Sequence, residues 1–516
     1  MEELLDIITN CSNWLRRLVH VTCIVNMGII RPLASYSIPA QLEIRLKGIR
    51  MPQTNPFFAS MLVNASLIAA ALSAPVMADD LMDVFLSAKD NDAVVGAARA
   101  SYQADKERLP QARSALLPSL VASVSTTKTE TTTPGTTIPG GALLERGYND
   151  NGWNAQLRQP VLNVASWFGY NSARAFVKAS SFALAAHEQD LIVRVADAYL
   201  NILRTRDRLD TTNAEVTAVK RQLEQVQQRF DVGLVAITDV LESQAAFDAA
   251  LVQQIQAETA HYISFETLRT LTGRDYDELA TLSEQLPIVD PDPLDEEAWV
   301  EAALRSNLAV RAAMEQLNSA RNESRSRLSD HLPTVDATVT RSNNHNGNPL
   351  TQQFSPEETE TTIYGLQLTM PLFQGGRTTS RSREAKARLA QAQEQLLNQR
   401  RLVVRNTRNL YKSVATDVVR VKARLKAIRS AQSALEATQT GYEVGTRNIV
   451  DVLQAQQRLF DSQFAYADSR YTYLLNLLRL KQQTGLLTEP DLLEINGFMN
   501  SNAPVQRIVS MRNANG

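Results

Sequence analysis

Two aspartates at equivalent places in the chain are the side chains whose spacing first suggests a shared task. Asp239 lies six residues after Gly233, and Asp451 lies six residues after Gly445. Each glycine interrupts a long stretch without Gly or Pro, as expected where a helix ends and the chain reverses. A carboxylate just after such a turn stabilises the N-terminal end of the next helix dipole, and position alone favours this structural role.

Catalytic and metal-binding constellations are missing from the sequence. His187, His261 and His331 stand alone in helical stretches, and His345 lies in a polar loop. Two cysteines cannot supply a Cys/His metal framework. No GxGxxG, Walker A, GxSxG or HExxH motif occurs. We therefore predict that the protein is not an enzyme and that it binds no cofactor and no metal.

The composition is that of a large ordered protein. The chain has 516 residues, of which 44% are hydrophobic and 21% are charged, and its formal net charge is −2. This is too apolar for a disordered chain, and the near-neutral charge lacks the basic footprint of a nucleic-acid binder. We expect no nucleic-acid partner.

The N-terminal region predicts export. Residues 57–77 are the only long apolar stretch, and it closes on Val76-Met77-Ala78 before Asp79. Small residues at this spacing after an apolar core are typical of a signal peptide, here residues 51–78. A membrane anchor is the alternative, since the run approaches the ~20 residues of a spanning helix. Residues 1–50 are interpreted as an extension of uncertain origin, consistent with a mis-assigned start.

The remainder of the chain repeats itself. Residues 79–290 form one predicted repeat and residues 291–496 the other. Four landmarks recur in order at a nearly constant offset: 116–120 with 331–335, 159–162 with 370–373, 229–233 with 441–445, and 271–273 with 483–485. Four ordered landmarks indicate a structural duplication. The last segment, 497–516, is predicted to be a flexible C-terminal tail.

Long helices are predicted between the landmarks. Residues 170–232 and 377–440 contain no Gly or Pro, and neither do 234–272 and 446–484. At ~1.5 Å per residue the first two runs could reach roughly 95 Å, far beyond ordinary globular helices. Apolar residues recur with alternating steps of three and four, which is typical of coiled-coil seams. The spacing alone does not separate helices in a cylinder wall from helices in a thick bundle.

Each repeat also contains two candidate strands. They cover about 119–130 and 149–161 in the first repeat, and about 334–343 and 361–372 in the second. Apolar and polar residues alternate along them, as in membrane β-strands or in a sheet packed on a core, and the pattern by itself favours the packed sheet. Four strands joined to such long helices cannot close a barrel alone, whereas a membrane tolerates no open sheet edge. Barrel strands would therefore be pooled, eight from two chains or twelve from three.

The chain resembles the TolC family of outer-membrane efflux and secretion conduits. The resemblance covers Asp79 to about Asn496 and rests above all on QRFDVGLVAITDVLESQAAFD (228–248) and GYEVGTRNIVDVLQAQQRLFD (441–461). It implies a mixed α and β fold: a 12-stranded transmembrane β-barrel with four strands per chain, continued by a long antiparallel α-helical coiled-coil barrel. It further implies a homotrimer in outer-membrane lipid that works with a periplasmic adaptor (membrane fusion protein) and an inner-membrane transporter. The implied function is an exit duct for small molecules, proteins or both.

The same resemblance assigns roles at the two turns. The implied adaptor contacts are Val232, Gly233, Leu234, Val444, Gly445 and Thr446. The implied pore constriction and gate residues are Thr238, Asp239, Tyr442, Arg447, Asp451 and Gln454. Asp451 resembles a constriction residue, and Asp239 with Thr238 resembles the partner of Tyr442 and Arg447 in contacts that hold the tunnel shut. Gln454 departs from the best-known members of the family, in which a second Asp follows the first by one turn.

One structural alternative competes with a conduit. An exported coiled-coil scaffold without a pore would explain the apolar residues that recur with alternating steps of three and four. It would not explain the paired alternating segments, each followed by Pro.

Overall fold

The computed structural model describes residues 78–137, 143–346 and 358–507. The predicted extension 1–50 and all of the predicted signal peptide except Ala78 lie outside these residues. The helices are α1 (Leu81–Asn91), α2 (Ala93–Lys106), α3 (Arg108–Ser114), α4 (Val164–Asp231), α5 (Ile237–Thr272), α6 (Glu296–Ser306), α7 (Leu308–Ser329), α8 (Arg377–Glu443), α9 (Ile449–Thr484) and α10 (Glu489–Asn496). The strands are β1 (Ser119–Thr137), β2 (Leu143–Leu162), β3 (Glu278–Leu282), β4 (Thr334–His345), β5 (Glu358–Thr369) and β6 (Met499–Gln506).

Two very long helices dominate the molecule. Helix α4 has 68 residues and α8 has 67, so each is roughly 100 Å long at ~1.5 Å per residue. Toward the strands, α4 packs against α2, α3 and α7, and α7 also packs against α8. Toward the turns, α5, α4, α9 and α8 pack side by side in that order. In the described part of the chain, no helix carries the long apolar window that crossing a membrane requires.

The strands form one four-stranded antiparallel sheet in the order β1-β2-β4-β5. Its register aligns an apolar row across all four strands, because Leu120 pairs with Leu157, Leu157 with Val339, and Val339 with Tyr364. Strands β1 and β2 extend well beyond the predicted segments. Strand β5 ends at Thr369, earlier than the predicted 372, where Pro371 cannot donate a ladder hydrogen bond. The predicted mixed α and β fold is confirmed.

The largest hydrophobic core lies where the middle of α4 meets α9, α1 and the small sheet of β3 and β6. Tyr199 of α4 is fully buried there, and its hydroxyl donates to the carbonyl of Ala280 at 2.7 Å. Leu203 on α4 and Leu474 and Leu478 on α9 are also buried in this core. It ties the two repeats together at mid-length.

The C-terminal segment differs from the prediction of a flexible tail. Strand β6 pairs with β3, and Val505 is buried against Leu279. Arg507 then donates to Glu266 at 2.7 Å and to Asp275 at 2.9 Å. The tail prediction is therefore wrong for residues 499–507, because pairing partners in the first repeat order them. Residues 508–516 lie outside the described residues.

Candidate functional site

The first candidate turn joins α4 to α5 in a Schellman arrangement. Gly233 has φ of 77°, and its amide donates to the Phe230 carbonyl at 2.8 Å. The Leu234 amide reaches the Arg229 carbonyl at 2.9 Å. This pair of bonds requires a left-handed residue, which explains the glycine.

The second turn, between α8 and α9, reproduces the first. Gly445 also has φ of 77°, its amide donates to the Tyr442 carbonyl, and the Thr446 amide donates to the Gly441 carbonyl at 2.8 Å. Asn448 then caps α9 by accepting from the Asp451 amide at 2.8 Å. The duplication seen in the sequence therefore produces two tips of matching geometry.

Both tips present apolar side chains to solvent. Val232 is 70% exposed, Leu234 is 71% exposed and Val444 is 69% exposed. Behind them, Val226 of α4 packs against Ile449 of α9 in a small buried cluster that holds the two tips together. Exposed apolar residues on a rigid support suit contact with another protein.

Arg447 and Asp451 are brought together by the structure. Their side chains lie 3.7 Å apart as an (i, i+4) pair that joins the turn to the first turn of α9. The guanidinium is 62% exposed and the carboxylate 36% exposed, so the pair is weak and easily exchanged for another. Gln454 is exposed one turn further along the same helix.

Among the described residues of one chain, Asp239 forms no hydrogen bond or ion pair with Tyr442 or Arg447. Thr238 lies 3.5 Å from the Asp239 carboxylate, and Arg447, in the turn before α9, is directed toward Asp451. Within the described residues, the buried hydroxyl of Tyr442 has no hydrogen-bond partner. The contacts that the resemblance implied between these residues therefore stay a prediction.

A polar cavity behind the tips was missed at the sequence level. It has a volume of about 640 Å³ and lies between α4 and α8. The guanidinium of Arg229 stands 5.0 Å from the ring centre of Tyr442 at this site. The glutamines that line it are Gln222, Gln225, Gln228 and Gln439. The three-residue spacing of the first three was the available signal, since it places them along one helix face.

The four-stranded sheet has an apolar face. Val124 is 85% exposed, Tyr364 78% and Leu366 74%, and Leu120 and Leu368 are also exposed. Such a contiguous exposed surface is unusual for a protein that stays in water.

The opposite face of the sheet is polar. Arg158 on β2 forms a 2.7 Å ion pair with Asp336 on β4. Ser123 on β1 donates to Asn154 on β2 at 2.8 Å. One face therefore suits lipid and the other suits water. No group of three His, Cys, Asp or Glu residues suited to a metal ion occurs in the ranges 78–137, 143–346 and 358–507.

Comparison with known proteins agrees with this arrangement. The model of the outer membrane efflux protein family matches residues 86–274 and 299–486. Outer membrane protein TolC of Vibrio cholerae serotype O1 is 36% identical over 440 residues, covering 84% of this chain and 97% of the relative. Alkaline protease secretion protein AprF of Pseudomonas aeruginosa is 28% identical over 432 residues, covering 83% of this chain and 89% of the relative.

A solved structure supports the fold. The Campylobacter jejuni CmeC outer membrane channel aligns with a TM-score of 0.66 at 17% identity, covering 81% of this chain and 90% of that one. The family match spans well over half of the sequence and both repeats. The chain belongs to the outer membrane efflux protein family.

Proposed function

We propose that three copies of this chain pool their strands into one 12-stranded barrel and continue it as a helical tunnel through the periplasm. As an outer membrane efflux protein, the chain serves as an exit duct. The name of AprF extends the proposed cargo from small molecules to proteins.

The observation that carries the proposal is the open amphipathic sheet. Among the described residues, β1 pairs with β2 alone and β5 with β4 alone, so both edges of the sheet are free. A free edge cannot persist in hydrocarbon, where unpaired backbone groups cost several kcal/mol each. Joining β5 of one copy to β1 of the next removes both edges. Three copies leave room for a lumen, whereas eight strands would be filled by side chains.

The helices have matching free edges. In the layer near the turns, α5 stands at one end and α8 at the other. Ile255 on α5 is 54% exposed and Leu425 on α8 is 40% exposed. The turns adjoin the start of α5 and the end of α8. Ile255 and Leu425 are the same number of residues from those two helix ends, so they lie at the same height above the turns. Glu258 and Lys422 are likewise level, each one helical turn further from its own tip.

A disulfide experiment tests this assembly. The chain from Asp79 onward has no native cysteine, so Ile255→Cys with Leu425→Cys should give dimer and trimer bands after mild oxidation. The matched control combines Ile255→Cys with Val419→Cys, whose Cα is about 9 Å higher on α8 and should not form a crosslink. A stably monomeric protein that carries no ions across a planar bilayer would overturn the proposed function. A conducting trimer without the crosslink would refute only the helix register.

The tips supply the proposed partner contacts. Val232, Leu234 and Val444 offer exposed apolar surface to a periplasmic adaptor, which would couple the duct to an inner-membrane transporter. Leu234→Asp should weaken co-purification with the adaptor, since it places a charge in an apolar contact. Conductance of the isolated duct should not change. Equal adaptor recovery with the variant would remove this tip from the docking surface.

The proposed gate uses the residues just behind the tips. Arg447 and Asp451 would exchange their weak pairing with each other for contacts with Asp239 and Thr238 of a neighbouring copy, and Tyr442 would supply its buried hydroxyl. Such links are strong enough to latch helices and weak enough for a docked partner to break. No observation favours the alternative of a coiled-coil scaffold without a pore. Such a scaffold would not explain the exposed apolar face of the sheet.

A further inference from the structure

A basic groove lies on the middle of α8 beside α6. Its volume is about 490 Å³ and its apolar floor includes Leu304 and Val404. The basic side chains that line it are Arg400, Arg401, Arg405, Arg408 and Lys412. Residues 400–412 contain no Asp or Glu, so the groove carries a strong local positive charge.

Only part of this charge is balanced by the described residues of the chain itself. Arg408 pairs with Glu297 at 2.5 Å and with Glu296 at 3.4 Å, and Lys412 lies 3.8 Å from Glu296. In the part of the chain that the structure describes, no carboxylate lies within ion-pair distance of Arg400, and none within that distance of Arg401.

Arg405 is in a similar position. Its guanidinium contacts the side-chain oxygen of Asn406, at 3.1 and 3.3 Å, which leaves its charge unbalanced. Three exposed guanidiniums along one stretch of one helix are a ready site for carboxylates.

The position of the groove narrows the choice of ligand. Arg405 lies near the middle of α8, about 42 Å below the start of the helix at ~1.5 Å per residue. This is too far for a phosphate of the membrane headgroups. If the helices enclose a lumen, as the proposed function requires, α6 must lie outside the cylinder, since inside it would block the passage. The groove beside α6 then faces the periplasm.

A second copy is the alternative occupant. Arg194 lies about 45 Å below the start of α4 at ~1.5 Å per residue, level with the groove, and it bonds Asp92 at the junction of α1 and α2. That junction would therefore be the free edge of a neighbouring copy at this height. Asp92 is buried and already paired with Arg194, which leaves Asp90 as the exposed carboxylate within residues 88–95. One exposed carboxylate cannot balance three guanidiniums.

We propose that this groove binds the carboxylate-bearing peptide stems of the cell-wall polymer through which the tunnel passes. The site rests on the proposed function, because it requires the outer surface of α8 to stand in the periplasm. Binding would anchor the duct laterally without entering the lumen. It would be salt-sensitive, since exposed charges are screened over about 8–10 Å at ordinary ionic strength.

The test uses the full-length assembled protein and purified peptidoglycan sacculi in a co-sedimentation assay. The variant Arg400→Gln/Arg401→Gln/Arg405→Gln should bind about tenfold more weakly, because each exposed pair contributes about a factor of two. The matched control, Arg381→Gln/Arg383→Gln/Lys386→Gln, removes the same charge nearer the membrane and should bind as the parent does. Sacculi with amidated carboxylates should not bind the parent, and inorganic phosphate should compete only weakly.

Each contrary result has a distinct meaning. Equal binding by the groove variant, or undiminished binding to amidated sacculi, overturns the proposal. Full displacement by inorganic phosphate overturns it as well and reassigns the groove to a small anion. Dissociation of the groove variant into monomers would show that a second copy covers the groove. Bilayer conductance of the same preparations separates these results from failure of the proposed duct, since the groove variant should still conduct.

Discussion

Adding a second carboxylate ring at the proposed constriction should strongly increase block by polyvalent cations. Asp451 and Gln454 lie on successive turns of α9, and Gln454 is exposed. Their axial separation is about 4.5 Å at ~1.5 Å per residue, so rings at the two positions would act on one bound cation together. In a trimer, Gln454→Asp raises the trapped negative charge from three to six.

The size of the effect follows from Coulomb's law. A trivalent cation about 6 Å from a carboxylate gains about 2 kcal/mol in water, and salt screening halves this to about 1 kcal/mol. Three added carboxylates therefore contribute about 3 kcal/mol, or roughly 100-fold in blocking affinity. Arg458 lies one turn beyond Gln454, but an exposed (i, i+4) pair contributes only about 0.3–0.5 kcal/mol and cannot cancel this gain.

The assay is single-channel conductance in planar bilayers, titrated with hexamminecobalt(III). Asp451→Asn should abolish block, and Gln454→Asp should lower the half-blocking concentration about 100-fold from the parent value. Gln463→Asp is the matched control, since it adds the same charge about 14 Å further along α9 on another face. If Gln454→Asp blocks no better than Gln463→Asp, the assignment of this helix turn to the constriction is wrong.

Three further outcomes are expected. Asp92 caps α2 and accepts two hydrogen bonds from Arg194 at 2.9 and 3.0 Å, so Asp92→Asn should lower the unfolding free energy by about 3 kcal/mol, seen as a lower melting temperature in circular dichroism. Those bonds hold the pKa of Asp92 below its ordinary value. The stability that Asp92 contributes is therefore complete above the ordinary carboxyl pKa and is lost as pH falls through the lower pKa of the folded state. The melting temperatures of Asp92→Asn and the parent should consequently converge at acid pH. Val226→Ala, at a fully buried position behind the tips, should lower the unfolding free energy by about 2 kcal/mol. It should also raise the noise of the open-channel current. Unchanged noise would show that packing at the tips does not control the gate. Gly445→Val should disrupt the turn more than Gly445→Asn. No described atom lies within 4 Å of an added Cβ, so only the positive φ limits the substitution, and Asn adopts that conformation more readily than Val. Equal adaptor binding by the two variants would refute this prediction.

The elements of the fold are readable from local patterns. Long stretches without Gly or Pro predict α4, α5, α8 and α9 closely, since helix formation depends on residues three and four apart. Period-two alternation places the four long strands in the same way. The paired glycines mark the turns because the left-handed conformation is costly for any residue with a Cβ.

Contacts between distant segments are decided by the tertiary structure alone. Strand β6 looks like a tail in the sequence because its partner β3 lies in the first repeat, and a short polar strand carries no signal of its own. Likewise, the partner of Arg447, the glutamine cavity behind the tips and the groove between α6 and α8 depend on how helices are rotated and aligned in height. Periodicity specifies which face of a helix is buried, but only packing specifies which other face it meets.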